Sequence, residues 1–173
     1  MNISVYDITV CQFDRSLSLL SRLLDKAAVY VASKKIADAT LLQTRLVPDQ
    51  FPLSKQVQIA CDNAKLCIPR LTTQQAPVFE DTETSIDELK ARIQSTLDFL
   101  RSVPQDAFTA DSLATRTVTF PWRPGHYLTA YDYVVQYLLP NFYFHVTTAY
   151  SILRSCGLEL GKTDYMNLPW KSE

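Results

Sequence analysis

The last third of this chain contains a long segment without a single charged side chain. No Asp, Glu, Lys or Arg occurs between Asp132 and Arg154, although these residue types make up 20% of the chain. Because charged groups are costly to bury and uncharged ones are not, this segment is predicted to be a helix that is buried nearly all round. We therefore expect it to form the centre of a helical bundle. It contains one histidine, His145, which lies among aromatic residues.

The composition of the chain argues against two classes of partner. The formal net charge is −1 and the Lys and Arg residues are scattered, whereas a nucleic-acid-binding surface needs clustered positive charge. No apolar run reaches the roughly 18 residues of a membrane-spanning helix. The N-terminus carries Asp7 and Asp14 and lacks the basic region and apolar block of a signal peptide. We expect a cytoplasmic protein with no nucleic-acid or membrane partner.

The cysteine and glycine residues indicate the state of the thiols and argue against a nucleotide-binding loop. The four cysteines form no Cys-x-x-Cys pair, which favours free, buried thiols in a reducing compartment. The three glycines form neither a phosphate-binding loop nor a dinucleotide motif, because Gly161-Lys162-Thr163 lacks the upstream glycine that such a loop requires. We therefore expect no nucleotide cofactor.

The first two of four predicted helices are indicated by apolar residues that recur every three or four positions. The apolar face of the first helix consists of Phe13, Leu17, Leu20, Leu24, Ala27 and Val31. The second helix is predicted from about Leu53 to Leu71. Residues 32–52 connect the two, with a short helical turn expected around Ala37–Leu42.

The third and fourth predicted helices begin at capping residues. Ser85 and Glu88 form a capping box that starts the third helix, and Pro104 ends it after Val103. Its solvated face is predicted to consist of Asp87, Lys90, Arg92, Gln94 and Asp98. Thr129 and Asp132 form a second box at the start of the fourth helix, and Gly157 is expected just past its end. Pro140 is expected to kink or interrupt this helix.

A short β-hairpin is predicted between helices three and four. β-branched residues alternate near Thr115–Phe120, and a Pro-Gly turn leads to a second strand near His126–Leu128. Four amphipathic helices and a two-stranded flap describe an all-α four-helix bundle, with residues 1–173 as one domain. These patterns leave open the relative direction of neighbouring helices.

Three segments carry a resemblance to a known family. They are RLVPDQFPLSKQVQIACDNAK at 45–65, FEDTETSIDEL at 79–89 and LPNFYFHVTTAYSILRSCGLELGKTDYM at 139–166. With them the chain resembles an uncharacterised branch of the DinB/YfiT-like superfamily, found in bacteria and fungi. The resemblance implies a DinB-like up-and-down bundle that is often a homodimer. It also implies kinship with metalloenzymes, some of them thiol-dependent transferases or isomerases of small molecules.

The metal site of that superfamily does not match this sequence. The resemblance implies three histidines from two helices around a divalent metal, but this chain has only His126 and His145, and Leu53–Leu71 contains none. The residues four positions either side of His145 are Asn141 and Ala149, which are not strong ligands for zinc. We therefore predict no metal ligands and no cofactor.

His145 is the centre of the predicted site. Three roles are open for it: an imidazole that bonds within the bundle, a pocket residue that orients or protonates a ligand, and a metal ligand. Asp62 on helix two is its candidate partner, since a carboxylate raises the basicity of an imidazole; the alternative is a solvent-facing acid. Tyr143 completes the predicted catalytic set. The predicted ligand-binding residues are Asn141, Thr148, Trp122, Tyr127, Tyr137 and Gln58.

The predicted function is binding of an apolar or aromatic small molecule between the helices. One histidine with tyrosines suits an isomerisation or a proton transfer that needs no metal. The first alternative, implied by the resemblance, is a metal- or thiol-dependent transferase. The second is a non-catalytic homodimer whose aromatic residues only pack the core.

Overall fold

The computed structural model describes residues 3–166 and Leu168, apart from the side chains of residues 110–112. The described part is mainly helical. The predicted single domain also includes residues 1, 2, 167 and 169–173, which lie outside the described residues. The helices are α1 Gln12–Lys34, α2 Asp38–Leu42, α3 Leu53–Leu71, α4 Ile86–Ser102, α5 Ala110–Thr115, α6 Ala130–Asp132, α7 Leu139–Ser155 and α8 Lys162–Met166.

Two π-helical runs, a 3₁₀ turn at Gln105–Ala107 and one small sheet complete the secondary structure of the described residues. One π-helical run, Asp7–Cys11, leads directly into α1. The other, Tyr133–Leu138, joins α6 to α7, so that residues 130–155 form one continuous helix. It is the last of the four bundle helices and is called here the final helix, although the short α8 follows it in the chain. Strands β1 Thr117–Thr119 and β2 Tyr127–Thr129 form an antiparallel hairpin in which Val118 lies opposite Leu128. The predicted hairpin between the third and fourth bundle helices is confirmed.

Helices α1, α3, α4 and the final helix pack into the predicted four-helix bundle. Helix α3 contacts the final helix and α4, and α1 contacts α4 and α7. The rings of Phe13 and Phe142 lie 4.3 Å apart in the core. The predicted boundaries of α3 agree with the structure, as does the predicted capping box of Ser85 and Glu88 at the start of α4.

The contacts between helices fix their relative directions, which the sequence pattern left open. Asp14 and Asp25 of α1 pair with Arg101 and Lys90 of α4, so these two helices are antiparallel. Helix α3 is antiparallel to the final helix, and the final helix is parallel to α1, as its contacts at Phe13 and Tyr30 indicate. Helices α3 and α4 are therefore parallel to each other. Residues 72–85, called here the crossover segment, must return along the bundle to connect them.

The final helix is not buried all round, which corrects the first prediction made from its lack of charge. Tyr131 is 71% exposed, Phe144 53% and Val135 41%, whereas Phe142, Val146 and Ile152 are fully buried. Uncharged side chains tolerate either environment, so the absence of charge permitted burial without requiring it. Between Asp132 and Arg154, the side of this helix that faces away from the bundle consists of aromatic, aliphatic and uncharged polar residues.

Pro140 lies within the final helix and is accommodated by a change of helix type. Proline has no N–H to donate to the carbonyl four residues earlier. In the preceding π-helical run, Leu139 N–H donates to Val134 O, five residues back, before regular α-helix resumes.

None of the helices in the described residues is both long and apolar enough to cross a membrane. Cys61 and Cys67 are buried free thiols, whereas Cys11 is exposed, against the prediction of buried thiols.

Gly157 ends the final helix in the position predicted for it. Its φ is +95°, its N–H donates to Arg154 O at 3.1 Å, and Leu158 N–H donates to Leu153 O at 3.3 Å. This pair of bonds is a Schellman motif, which needs a left-handed residue at the position of Gly157.

We expect Gly157→Ala to lower the free energy of unfolding by about 1–2 kcal/mol, because an L-residue is strained at this φ. A Cβ at this position would approach Tyr30 Oη to 3.5 Å, an ordinary contact, so strain in φ is the main cost. Gly161→Ala is the matched control, since its φ is not positive and its Cβ would meet no atom closer than 3.7 Å. Urea denaturation of both variants measures the difference, and equal stabilities would contradict the assignment.

Candidate functional site

A polar seam runs along the interface between α3 and the final helix. Gln56, Asn63 and Arg70 follow one another at seven-residue spacing, which is two helical turns and places them on one face of α3. Each bonds to a polar group of the final helix. The pairs are His145 Nδ1 with Gln56 Oε1 at 2.7 Å, Asn141 Nδ2 with Asn63 Oδ1 at 3.1 Å, and Arg70 Nη1 with Tyr133 Oη at 3.2 Å.

The hydrogen bonds of Gln56 assign the tautomer of His145. Gln56 Nε2 donates to Phe51 O at 2.9 Å, so its amide oxygen is the atom that faces the imidazole. An amide oxygen accepts only, and therefore Nδ1 of His145 carries the proton in the neutral ring. His145 is 7% exposed, and burial lowers its pKa to about 4. The ring is accordingly neutral near pH 7.

Asp62 does not pair with His145, which corrects the predicted imidazole–carboxylate pair. Asp62 lies on the side of α3 that faces α4, and its Oδ1 is 3.0 Å from Arg92 Nη2 and 3.2 Å from Lys65 Nζ. The partner of His145 is instead Gln56, six residues earlier in the same helix. Six residues correspond to one and two-thirds helical turns, so the two side chains point in different directions.

Arg92 is the centre of a buried charge cluster that holds the crossover segment. Its guanidinium is 3.0 Å from Asp62 Oδ1, 2.9 Å from Asp81 Oδ1 and 2.9 Å from Glu83 Oε1, and it donates to Glu80 O at 3.0 Å. The Arg92 side chain is 2% exposed. The prediction that Arg92 lies on a solvated face is therefore wrong, because the crossover segment covers this side of α4.

Two further side chains of α3 extend this cluster. Lys65, whose side chain is 5% exposed, donates to Pro77 O at 3.2 Å, and its Nζ lies 4.5 Å from the centroid of the Phe79 ring. Gln58, one of the residues predicted to bind a ligand, donates to Glu83 Oε2 at 2.8 Å. Gln58 thus contributes to holding the crossover segment.

The remaining residues predicted around His145 lie in other surroundings. Tyr143 faces α1 and lines a cavity of 220 Å³ with Gln12 and Ser16, and burial raises the pKa of its hydroxyl. Asn141 is engaged by Asn63, and Thr148 is buried with 6% exposure. The three residues predicted for catalysis, His145, Asp62 and Tyr143, are therefore not brought together.

Three other predicted ligand-binding residues do come together, at the hairpin. Trp122, Tyr127 and Tyr137 line a cavity of 340 Å³, called here the flap pocket. The other described residues that line it are Phe120, Arg123, His126 and Leu128. Sequence reasoning had assigned no role in the site to Arg123 or His126, although both occur in the same short loop as Trp122.

The loop of the flap is held by its two prolines and its glycine. Arg123 N–H donates to Phe120 O at 3.0 Å, and His126 N–H donates to Arg123 O at 3.3 Å, which closes two successive turns. The second turn has Pro124 followed by Gly125 with φ +77°, the arrangement of a type II turn. His126 Nδ1 lies 3.1 Å from Pro124 O, so this nitrogen is the donor. These bonds fix the backbone of the loop.

The floor of the flap pocket is an aromatic cluster centred on Phe120, which is 7% exposed. Its ring centroid lies 5.0 Å from that of Trp122 and 4.8 Å from that of Tyr137. The Arg70 guanidinium lies 5.2 Å from the Phe120 centroid. The seam between the helices therefore ends directly behind the flap pocket.

The described residues do not fit the three-histidine metal site of the superfamily. No group of three His, Cys, Asp or Glu side chains within the described part of the chain is arranged to hold a metal ion. His145 uses Nδ1 for Gln56 and His126 uses Nδ1 for Pro124 O, and the two belong to different parts of the fold. The absence of a cofactor stays a prediction.

The comparisons with known proteins agree with this architecture. The model of a domain of unknown function, DUF1993, matches residues 5–166. The chain belongs to the DUF1993 family. No curated protein matches this DUF1993 chain. It is similar to the crystal structure of a DinB family member from Shewanella denitrificans, with 44% sequence identity and a TM-score of 0.90 over 98% of this chain and 96% of that one. The predicted DinB-like branch and fold are confirmed.

We expect Arg92→Met to lower the free energy of unfolding by about 2–3 kcal/mol, because it removes the common partner of Asp62, Asp81 and Glu83, of which Glu83 is the most buried. Lys90→Met is the matched control on the same helix. Lys90 pairs with Asp25 at the surface, where an ion pair contributes about 0–1 kcal/mol. Chemical denaturation measures both losses, and limited proteolysis should cut the crossover segment faster in Arg92→Met. Equal losses in the two variants would contradict the role of Arg92.

We expect the stability of the protein to fall as the pH is lowered from about 6.5 towards 4. The pKa of His145 is about 4 in the fold and near 6.5 in an unfolded chain, so the unfolded state binds the proton more tightly. The stability is complete above pH 6.5, and the loss amounts to about 3 kcal/mol by pH 4. The free energy of unfolding, measured by denaturation at several pH values between 7.5 and 4.5, should depend less steeply on pH in His145→Gln. His126→Gln, which leaves the buried pair intact, is the control, and an unchanged slope in His145→Gln would refute the assignment.

Proposed function

We propose that this DUF1993 protein binds a small apolar or aromatic molecule in the flap pocket. The observation that carries the proposal is the convergence of Phe120, Trp122, Tyr127 and Tyr137 on one cavity of 340 Å³. This volume lies at the lower end of the range for small-molecule sites, which suits a ligand of one or two rings. Trp122 and Tyr127 are each 64% exposed, and a bound ring would cover apolar area that water now contacts.

The rigidity of the flap supports binding at this position. Pro121 and Pro124 restrict the backbone on both sides of Arg123, and the two turn bonds fix the loop. A site that is ordered before binding loses less conformational entropy when the ligand arrives. The aromatic side chains have few rotatable bonds, which lowers this cost further.

Binding is better supported than catalysis by His145. The imidazole is neutral, buried and bonded to Gln56, and its low pKa makes it a weak base. Asp62 and Tyr143 have other partners and lie in other surroundings. The buried thiols of Cys61 and Cys67 are poor nucleophiles as well, since burial raises the pKa of each, that of Cys61 to about 12. His145 in this proposal stabilises the interface between α3 and the final helix.

Homodimer formation is the second part of the proposal. An apolar cleft of 370 Å³ lies between the N-terminal segment and the final helix, and Ile3, Val5, Tyr131 and Val135 are among the residues that line it. Ile3 is 67% and Tyr131 71% exposed. A second copy of the chain that covered this cleft would bury apolar area of the kind found at the centre of dimer interfaces.

We expect 2-naphthamide, a neutral two-ring probe, to bind the protein in isothermal titration calorimetry. Trp122→Ala should weaken this binding about 5- to 30-fold, because the loss of one aromatic contact costs about 1–2 kcal/mol. Phe144→Ala is the matched control, since Phe144 is an exposed aromatic residue that does not line the pocket. Trp170→Phe leaves Trp122 as the one tryptophan, and its emission should then change on titration. Absence of binding, or equal effects of the two alanine variants, would overturn the proposal.

A further inference from the structure

We propose that the natural ligand of the flap pocket is an anion, an aromatic carboxylate or a similar oxyanion, and that Arg123 binds its charged group. This inference rests on the proposed function and extends it from the shape of the ligand to its charge. Aromatic side chains would enclose the ring system, while the guanidinium at the rim of the pocket would receive the carboxylate.

The described lining of the flap pocket contains one charged side chain, and it is positive. The described residues that line it include Arg123 and no Asp or Glu. Residues 113–131, which contain the whole flap, include Arg116 and Arg123 and no acidic residue. The acid that follows, Asp132, is already engaged by the hydroxyl of Thr129 and the amide of Gln136. The flap itself therefore contains no carboxylate that could pair with Arg123 in place of a ligand.

The arginines beside the pocket are held by neutral groups. Arg116 donates to Arg70 O at 2.8 Å and also to Thr72 O, at the C-terminal end of α3. Arg70 donates to the Tyr133 hydroxyl and lies over the Phe120 ring. The end of a helix carries only about half a negative charge, so two guanidinium groups are not neutralised by it. The arginines closest to the flap pocket therefore keep their positive charge without a carboxylate partner among the described residues.

Arg123 differs from these two arginines because it is exposed and has no side-chain partner among the described residues. Its backbone is fixed by the turn bond to Phe120 O, so its side chain starts from a defined position at the rim. A guanidinium presents two parallel N–H groups that match the two oxygens of a carboxylate. Aromatic rings alone would also attract a cation, but the positive surroundings oppose one.

Three probes of the same shape and different charge test this inference by calorimetry at low ionic strength. They are 2-naphthoate, the neutral 2-naphthamide and the cationic 2-naphthylmethylammonium. We expect 2-naphthoate to bind about five- to tenfold more tightly than the amide, and the cation to bind most weakly. Arg123→Gln should remove most of the preference for the carboxylate and leave the affinity for the amide unchanged. Arg22→Gln is the matched control, since it removes an exposed arginine of α1 away from the pocket.

The outcomes separate this inference from the proposed function. If the carboxylate and the amide bind equally, or the cation binds most tightly, the ligand charge is wrong while the pocket stands. If Arg123→Gln and Arg22→Gln weaken 2-naphthoate alike, the attraction is a general one and the role of Arg123 is overturned. If none of the three probes binds, the proposed function itself fails, and this inference with it.

Discussion

The burial of Arg92 between α3, α4 and the crossover segment is the interaction on which the rest of the bundle depends. Helices α3 and α4 are parallel, so the chain between them must return along the bundle. A segment that contains Glu80, Asp81 and Glu83 would by itself remain in water. The guanidinium of Arg92 and the ammonium of Lys65 bring its carboxylates and carbonyls against the helices. Their desolvation is costly, and it is offset because nearly every charge involved has a partner at hydrogen-bond distance.

This cluster and the polar seam occupy two different sides of α3. One side of α3 faces the crossover segment, and the side that faces the final helix is filled by the Gln56–His145, Asn63–Asn141 and Arg70–Tyr133 pairs. Polar groups that bond across an interface in this way fix the register of two helices, although the buried Nδ2 of Asn63 has no hydrogen-bond partner among the described residues. Space for a ligand remains at the end of the bundle, where the hairpin folds over Phe120. In this DUF1993 protein the flap pocket and the buried imidazole are therefore separate features of one DinB-like fold.

The candidate site was predictable in part, and the difference lies in how far apart in sequence the interacting residues are. Trp122, Tyr127 and Tyr137 occur within one hairpin and the helix that follows it, so local turn chemistry already places them near one another. Whether Asp62 or another side chain of α3 faces His145 depends on how α3 is rotated about its axis. The spacing of residues in the final helix does not specify this rotation. Gln56 was the partner, and no pattern distinguishes a buried glutamine from a solvated one before the helices are packed. Arg92 was wrongly predicted to be solvated for a similar reason. The segment that covers it is polar, so the sequence gives no sign that it packs against α4.

Local residue patterns by themselves determined the elements of this protein. Apolar spacing set the extent of α3, Ser85 and Glu88 set the start of α4, and Gly157 set the end of the final helix, because caps and periodicity act over a few residues. Tertiary structure alone decided the parallel direction of α3 and α4, the exposure of Phe144 and the separation of His145 from Asp62. These features depend on contacts between residues far apart in the chain, in which the cost of burying a charge or a ring is set by what the rest of the fold places against it.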